Sequence, residues 1–232
     1  MNGILLVDKP YTWTSFDAVN YVRGVIAKAE AKKPKQVKVG HIGTLDPLAT
    51  GLLVLLIGSY TKRAPEMTKL DKTYEATIKL GETSTTGDAE GQKSAISDKR
   101  PTQSEVNEAL NKFTGKLEQI PPVFSAIKVG GQRAYKLARQ GKSVDLAPRA
   151  VTVHENKLVN YEYPDIKFVA KVSSGTYIRS LAVDLGEALS TGAYLADLRR
   201  LEIGPFDIKN AVSLKELTAE IMQSSLLDRI IP

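Results

Sequence analysis

The order in which strand and helix patterns follow one another most narrows the fold of this chain. Two segments alternate apolar and polar residues as half-buried strands do, 74–80 and 166–172. Helix starts are predicted by capping boxes at 102–105 and 213–216, and by the capping hydroxyls Thr14 or Ser15. Because strands and helices do not alternate strictly, the sequence favours an α+β fold over a doubly wound one.

The size of the chain allows one large domain or two small ones, since it has 232 residues. It has no cysteine, which excludes disulfide scaffolds, thiol nucleophiles and thiolate metal sites. The longest apolar run, Leu52–Ile57, is strand-sized and far short of the ~20 residues of a membrane span. The first residues lack the basic region and cleavage site of a signal peptide. The sequence therefore predicts a cytoplasmic protein with no membrane segment.

The charge balance is modestly basic, with 32 Lys and Arg residues against 26 Asp and Glu residues and a net charge of +6. A basic excess favours a polyanionic partner such as RNA, but charge alone is equally compatible with none. Basic residues concentrate in 28–38 and in 125–149, where Tyr135 stands among them. The first stretch is either a solvated surface or an arm that contacts phosphates.

Several common catalytic motifs are absent. The chain has no G-x-G-x-x-G and no G-x-S-x-G sequence, and Gly141-Lys142-Ser143 lacks the first glycine of a phosphate loop because residue 136 is Lys. Its two histidines, His41 and His154, are too few and too distant to indicate a metal site. Nucleotide hydrolases, dinucleotide enzymes, triad hydrolases and zinc enzymes are all disfavoured, and no cofactor or metal is expected.

The segment Gly40–Gly51 reads G-H-I-G-T-L-D-P-L-A-T-G and holds one carboxylate, Asp46, between apolar neighbours. Pro47 restricts Asp46 to extended conformations, and the strand-sized run that follows anchors the loop. A lone Asp in a loop is most often a turn or cap residue, so the residues alone leave its role open.

This segment resembles the catalytic motif of the TruB family of tRNA pseudouridine synthases, G-H-x-G-x-L-D-P-x-A-T-G, at every fixed position. Further segments resemble other elements of that family in the same order, over roughly residues 3–204. These are Asp8-Lys9-Pro10 with Thr14-Ser15, Lys72-Thr73-Tyr74, Thr85 with Asp88 and Gly91, Ile120-Pro121-Pro122 with Ser125-Ala126-Ile127-Lys128, Ser174–Arg179, and Leu198–Leu201.

The resemblance implies the pseudouridine synthase fold, a mixed and largely antiparallel central sheet flanked by helices and loops. It implies a single catalytic domain over residues 1–232, with 125–149 as a helical thumb that clamps RNA. Many members of the family continue into a C-terminal RNA-binding module of the PUA type. This chain ends at Ile230-Ile231-Pro232, so we expect it to lack that module.

The resemblance also implies an activity, the isomerisation of uridine to pseudouridine in the T-loop of tRNA after the base is flipped out. Asp46 would be the catalytic carboxylate, by attack at C1′, by attack at C6 or by promoting elimination. Arg179 would lie beside Asp46 and keep it ionised, since a close cation lowers a carboxyl pKa. Tyr74 would stack on the base and stand near the proton transfer.

Three further residues are implied to bind substrate. His41 would fill the gap left by the flipped base, and Tyr177 and Leu198 would line the uridine pocket. RNA backbone contacts are expected from the two basic stretches, through Lys32, Lys33, Lys35, Lys38, Lys128, Arg133, Lys136 and Arg139.

The expected partner is the T-arm of tRNA, and the protein is expected to be a monomer without an obligate protein partner. Two alternatives stay open. One is a guide-RNA-dependent pseudouridine synthase subunit of the archaeal or eukaryotic type. The other is an RNA-binding or tRNA-folding factor in which catalysis is secondary.

Overall fold

The computed structural model describes residues 1–125 and 127–228. The strands are β1 Gly3–Lys9, β2 Val39–Ile42, β3 Thr50–Ile57, β4 Lys72–Leu80, β5 Glu82–Ser84, β6 Lys93–Ala95, β7 Gly115–Gln119, β8 Lys128–Val129, β9 Gln132–Arg133, β10 Arg149–Glu162, β11 Asp165–Val172, β12 Ala193–Ile203, β13 Phe206–Asp207 and β14 Val212–Ser213. The α-helices are α1 Ser15–Ala29, α2 Ala64–Met67, α3 Gln103–Lys112, α4 Ala134–Arg139, α5 Ile178–Ala188 and α6 Ala219–Ser225.

The chain divides into two compact units. The first contains Met1–Tyr74 and the described part of Leu198–Pro232, and the second contains Glu75–Asp197. Strands β4 and β12 each contribute residues to both units. The elements are mixed and mostly antiparallel strands with helices in irregular order, so the α+β expectation is confirmed. The expected single domain over residues 1–232 stays a prediction.

In the first unit, strand β3 organises the sheet. One edge of β3 pairs antiparallel with all of β1, from Gly3 opposite Ile57 to Lys9 opposite Gly51. Its other edge is shared between two neighbours. β2 pairs with the carboxyl half of β3, and β12 pairs in parallel with its first residues, Thr50 and Gly51. The loop between β2 and β3 therefore leaves the sheet at the place where the pairing of β3 with β12 ends and its pairing with β2 begins.

Both faces of this sheet are buried, which explains the unbroken apolar run of β3. Leu53, Leu55 and Ile57 face a core formed with helix α1, among whose residues Val22 and Ile26 are fully enclosed. The alternate residues Leu52, Val54 and Leu56 belong to a second core with Ile203 and Phe206. A strand covered on both sides has no polar face and so shows no alternation.

The second unit is built on β4, β11, β10 and β7, which lie side by side in that order. Here the alternation seen in the sequence is reproduced, because Ile78 and Leu80 of β4 and Phe168 and Ala170 of β11 are buried while the residues between them are not. The glycine-bounded segment 81–91 contributes β5 to a short hairpin with β6.

The predicted helix starts are partly correct. Thr14 caps α1 and Thr102 caps α3, each through a complete capping box. The box predicted at 213–216 is wrong. Residues Leu214–Glu216 form one 3-10 turn, and the last helix begins later, capped by Thr218. The Ser-x-x-Glu spacing at 213–216 thus belongs to a single 3-10 turn that is too short to be an α-helix.

Residues 127–149 combine the hairpin β8–β9 with the six-residue helix α4. The helical part of the predicted thumb is therefore confined to Ala134–Arg139. Ala126, within the matched Ser125–Lys128 element, and the terminal Ile230-Ile231-Pro232 lie outside the described residues. Across the described ranges, no helix combines the length and apolar character needed to cross a membrane.

Candidate active site

Asp46 lies on the loop of residues 43–49 that leaves β2 and returns as β3. Its side chain is exposed, while Leu45, Leu48 and Ala49 on either side are buried. The main chain makes a short turn behind the carboxylate, because the amide of Ala49 donates to the carbonyl of Asp46 over 3.0 Å. Apolar anchors on both sides thus hold a carboxylate out toward solvent.

The start of helix α1 fixes this loop from one side. The hydroxyl of Ser15 accepts a hydrogen bond from the amide of Leu45 over 2.8 Å and donates to the carbonyl of the same residue over 3.1 Å. The amide of Thr12 donates to the carbonyl of Pro47 over 2.9 Å. The matched Asp8–Ser15 element therefore positions the main chain on both sides of Asp46.

Arg200 fixes the two ends of the same loop. Its side chain is 0% exposed. Its Nη2 donates to the carbonyl of Gly43 and its Nε to the carbonyl of Leu52, both over 2.8 Å. The guanidinium also lies 5.9 Å from the centre of the Tyr74 ring, within the range of a cation–π contact. One buried side chain thus joins the beginning of the loop, its end and the aromatic residue expected to meet the base.

Two glycines of the motif are required by this packing. Gly51 has φ +99°, and a Cβ there would come within 2.3 Å of the carbonyl oxygen of Arg200. Gly43 has φ +71°, and a Cβ would come within 3.1 Å of Nη1 of Arg200. Both positions combine a left-handed backbone with a close neighbour, so only glycine fits without strain.

Lys9 and Lys72 add two further buried cations. Lys9 is 0% exposed and donates to the carbonyls of Pro10 and Trp13 over 2.9 and 2.6 Å. Burial lowers the pKa of Lys9 to about 8, and the negative charge of Asp46 opposes that shift. Burial, and then the charge of Arg200, lower the pKa of Lys72 to about 8 as well. Asp46 is therefore within electrostatic reach of a fixed ammonium group in its own unit.

His41 belongs to β2, immediately before the loop, and pairs with Leu55 of β3. Its burial lowers the pKa of its imidazole, and the charge of Arg200 lowers it further. A lowered pKa favours the neutral ring at physiological pH, which can stack on a base without carrying a fixed charge. Its Nδ1 atom is buried and makes no hydrogen bond within the described residues.

An ion pair lies where the loop rejoins the sheet. Arg199 of β12 contacts both carboxylate oxygens of Asp8, over 2.6 and 3.1 Å, and reaches Thr50 Oγ1 over 3.4 Å. Both charged groups are about one-third exposed. This bidentate pair links the end of β1 to β12, and the contact with Thr50 adds the start of β3.

The second unit presents Arg179 on the first turn of α5. Its side chain is 7% exposed, and its Nε lies 3.0 Å from Oδ2 of the buried carboxylate Asp88. Its Nη1 donates to the carbonyl of Phe124 over 3.2 Å. Asp88 is itself held by the hydroxyl of Thr86 and by the amide of Glu90. The guanidinium of Arg179 is thus fixed by a buried ion pair.

Tyr177 is the residue immediately before α5, and the side-chain amide of Gln119 holds its backbone. Its N–H donates to Oε1 of Gln119 over 2.8 Å, and its carbonyl accepts from Nε2 over 3.0 Å. Because the chain enters the helix directly after this paired contact, the position of Tyr177 and that of Arg179 are set together.

The predicted site residues divide between the two units. His41, Asp46, Tyr74 and Leu198 belong to the first, and Tyr177 and Arg179 belong to the second. In the first unit, Arg200 acts on both His41 and Tyr74 and clamps the ends of the Asp46 loop. Leu198 is half-buried at the start of that unit's part of β12. The pairing of Arg179 with Asp46 joins residues of different units and stays a prediction.

The predicted RNA-contacting cations are all exposed. These are Lys32, Lys33, Lys35, Lys38, Lys128, Arg133, Lys136 and Arg139. Lys28, the first cation of the basic stretch 28–38, belongs to the last turn of α1, and Pro34–Gln36 form a 3-10 turn. Arg139 lies over the ring of Tyr135 at 5.8 Å. Exposure is compatible with RNA contact but does not by itself require it.

Sequence reasoning assigned no role to four buried charged residues that organise these elements, Lys9, Lys72, Asp88 and Arg200. Each lies inside a segment that resembles the TruB family, so the motifs pointed to the right places. Their burial could not be read from pattern, because Lys, Arg and Asp are ordinarily surface residues. Among the described residues, no cluster of His, Asp or Glu side chains could hold a metal ion.

Known proteins resemble this chain over most of its length. The chain matches the N-terminal domain of TruB family pseudouridylate synthases over residues 30–178, and the C-terminal domain of tRNA pseudouridylate synthase B over residues 179–232. It is 43% identical to the tRNA pseudouridine synthase B of Thermobifida fusca, over 99% of this chain and 78% of that protein. It is 42% identical to the same enzyme of Flavobacterium johnsoniae, over 91% of this chain and 92% of that protein.

Among solved structures, a Cbf5–Nop10–Gar1 complex contains a chain of similar fold, with a TM-score of 0.69 and 27% identity. The similarity covers 93% of this chain and 53% of that one, so the present chain spans about half of its length. The family match and the similarity to tRNA pseudouridine synthases B extend over nearly the whole sequence. The chain therefore belongs to the TruB family of pseudouridylate synthases.

Proposed function

We propose that this protein isomerises uridine to pseudouridine in the T-loop of tRNA, with Asp46 as the catalytic carboxylate. The reaction breaks the bond between C1′ and N1, turns the base and forms a bond between C1′ and C5. A proton then leaves C5 and another is taken up at N1, so substrate and product have the same composition. The step needs an ionised carboxylate held near the sugar and the base.

The observation that carries this proposal is the way in which the Asp46 loop is held. Its ends are clamped by one buried guanidinium, its middle is bonded to the start of α1, and its carboxylate is exposed within reach of the Lys9 charge. A cation near a carboxyl favours its ionised form, which is the form that acts as a nucleophile or base.

The other predicted residues take roles consistent with this chemistry. We propose that Arg179 lies beside Asp46 in the RNA complex and that Tyr74 stacks on the flipped base. His41, neutral at physiological pH, would occupy the gap in the RNA loop. Tyr177 and Leu198 would line the uridine pocket. The loss of base stacking on flipping costs a few kcal/mol, which these contacts would offset.

RNA backbone contacts are assigned to the exposed cations of residues 32–38 and to the thumb, residues 125–149. We propose that the protein acts as a monomer without a guide RNA or protein subunit, and that it works in the cytoplasm on tRNA. Turnover by the purified chain alone would separate this proposal from a guide-RNA-dependent subunit. It would equally separate it from a tRNA-folding factor in which catalysis is secondary.

The test measures pseudouridine formation in an unmodified T-arm stem-loop. The readout is the release of tritium from [5-³H]uridine. Wild-type protein should release tritium, because forming the C5–C1′ bond displaces the label. Asp46→Asn should abolish turnover while RNA affinity stays within about twofold, since the change removes a charge and little volume. A matched control, Asp165→Asn, replaces an exposed aspartate of the second unit and should retain full activity.

Two outcomes would contradict the proposal. Without tritium release by the wild type, on the stem-loop and on a complete tRNA transcript, the enzymatic reading fails. If Asp46→Asn turns over as fast as Asp165→Asn, another group carries the chemistry.

A further inference from the structure

The segment 11–21, which leads into helix α1 and forms its first turns, exposes an unusual set of side chains for the outside of a small protein. Four aromatic residues fall within residues 11–21. Tyr11 is 61% exposed and Phe16 is 58% exposed. Trp13 packs against the core and meets the ring of Tyr21 edge-on, with the ring centres 5.6 Å apart. Single exposed aromatic residues are common, but a group of them beside a proposed active-site loop indicates a surface that binds a partner.

Phe16 begins a stripe along one face of α1. Asn20, Arg23, Gly24 and Lys28 follow at helical spacing, so they lie along the same side of the helix. From Phe16 to Lys28 the stripe is about 18 Å long, at 1.5 Å per residue. We call these five residues the α1 stripe. It presents an aromatic ring at one end and cations toward the other.

Arg23 is held in place along this stripe. Its Nη1 donates to Oδ1 of Asn20 over 2.8 Å, and its Nη2 donates to the carbonyl of Val39 over 3.3 Å. Its guanidinium carbon lies 5.9 Å from the centre of the Phe16 ring. A guanidinium fixed beside an aromatic ring presents a stacking surface and a phosphate partner at low entropic cost.

Gly24 adds an independent observation. It lies in the middle of α1, where glycine is less favourable than alanine. A Cβ at this position would meet nothing within 4 Å, so no contact among the described residues requires glycine. A bare helix backbone beside an exposed ring allows close approach by a bound molecule.

The stripe is continuous with the loop of Asp46. Thr12 forms a hydrogen bond with the main chain of Pro47, and Ser15 forms two with the main chain of Leu45. Tyr11 directly precedes Thr12 in the sequence, and Phe16 directly follows Ser15. The carboxylate of Asp17 is on the same side but is bonded to the amide and hydroxyl of Thr14 at the start of the helix. A polyanion bound at Asp46 would therefore meet the aromatic end first and the cations next.

We infer that the α1 stripe binds unpaired nucleotides of the RNA substrate outside the target stem-loop, with a base stacked on Phe16 and phosphates at Arg23 and Lys28. The inference rests on the proposed function for its choice of RNA as partner. Bases of any sequence can stack on an aromatic ring, and cations along a groove follow the backbone. The stripe thus adds affinity for complete tRNA without reading sequence.

The experiment measures the affinity of the full chain for two RNAs, an unmodified T-arm stem-loop and a complete tRNA transcript. Phe16→Ala should weaken binding of the transcript about tenfold, while affinity for the stem-loop changes little. Val159→Ala removes an exposed apolar side chain from β10 and is the matched control, with both affinities within about twofold of wild type. Thermal unfolding of each variant checks that it is folded.

Salt dependence separates the stacking end from the charged end. Lys28→Gln should reduce the slope of log affinity against log salt by about one for the transcript, whereas Phe16→Ala should leave the slope unchanged. Equal affinity of Phe16→Ala and Val159→Ala for the transcript would overturn the inference. Equal weakening on both RNAs would overturn it too, because the contact would then lie within the stem-loop.

A protein partner is the remaining outcome. If the wild type sediments as a dimer that Phe16→Ala dissociates, with transcript affinity unchanged, the stripe joins two copies of this chain and the inference is wrong. Failure of the proposed function is seen separately. The wild type would then form no pseudouridine, while the difference in transcript affinity between Phe16→Ala and Val159→Ala would persist.

Discussion

The loop around Asp46 and the helix start around Arg179 are both held by buried charges, but with opposite arrangements. At the loop, Lys9, Lys72 and Arg200 end on main-chain carbonyl oxygens. At the helix start, Arg179 lies against a buried carboxylate, Asp88. The first arrangement directs its cations at carbonyl dipoles, and the second cancels its positive charge with a buried carboxylate.

The difference separates two ways of preparing charged groups for a reaction. Cations on carbonyl dipoles retain a positive field, and Lys9 is close enough to Asp46 for the charge of that carboxylate to act on the pKa of the lysine. An ion pair fixes the direction of a guanidinium but reduces its field at a distance. The Asp46 loop is therefore prepared by field and position together, and the start of α5 mainly by position.

The largest expected effect comes from breaking the buried ion pair. Asp88→Ala leaves the Arg179 guanidinium buried without its carboxylate, which typically costs about 3–5 kcal/mol of stability. Urea unfolding measures this loss. Glu90→Ala is the control. The side chain of Glu90 is exposed, and the hydrogen bond that its backbone N–H donates to Asp88 is lost only when Asp88 changes. Equal stability of the two variants would show that the pair does not hold the second unit together.

The next effect comes from shortening the clamp of the Asp46 loop. Arg200→Lys keeps the charge, but one ammonium cannot reach the carbonyls of both Gly43 and Leu52 as the fork does. A buried carbonyl left without a donor costs about 1–3 kcal/mol, so we expect a loss near 2 kcal/mol in urea unfolding, with a more than tenfold lower turnover rate.

Arg199→Lys is the matched control for this clamp. Arg199 is the adjacent residue and its pair with Asp8 is partly exposed, so the same substitution should cost less than about 1 kcal/mol. If the two substitutions cost the same, burial of Arg200 has no special part in positioning the loop.

The smallest effect concerns Asp184, a partly buried carboxylate on α5 of the second unit. Burial, together with the charge of Glu187, raises the pKa of Asp184 on α5 to about 6. Asp184 therefore ionises near pH 4 in the unfolded chain but only near pH 6 in the folded protein. As a result, the free energy of unfolding falls as pH rises from about 4 to 6.

Asp184→Asn should remove that penalty. It should stabilise the protein by about 1–2 kcal/mol above pH 7 and by nothing measurable near pH 3.5, a magnitude reduced because the carboxyl is partly hydrated. Chemical unfolding at the two pH values tests this. A stabilisation that is equal at both would show that ionisation of Asp184 is not its source.

The sequence predicted those features that depend on local pattern. Alternation located β4 and β11, the capping hydroxyls Thr14 and Thr102 located two helices, and the motif around Asp46 located the loop. The remaining features depend on contacts distant in sequence. Nothing in the local sequence distinguishes Arg200, which is enclosed, from Arg199, which is partly exposed, because their difference arises from which side of β12 faces the core. Ser213 failed as a helix cap for a related reason, since the length of the following turn is set by packing.

The shared edge of β3 has a consequence for the order in which the protein becomes active. β2 and β3 are neighbours in the chain, so their pairing closes a short loop and can form early. The strand that completes the same edge brings Arg200 to Leu52 from 148 residues later in the chain. During synthesis from the N-terminus, the Asp46 loop therefore exists as a covalent segment long before its clamp arrives. The protein would therefore become catalytically competent late in folding. A nascent or partly unfolded chain would not act on uridine, even where its first strands are formed.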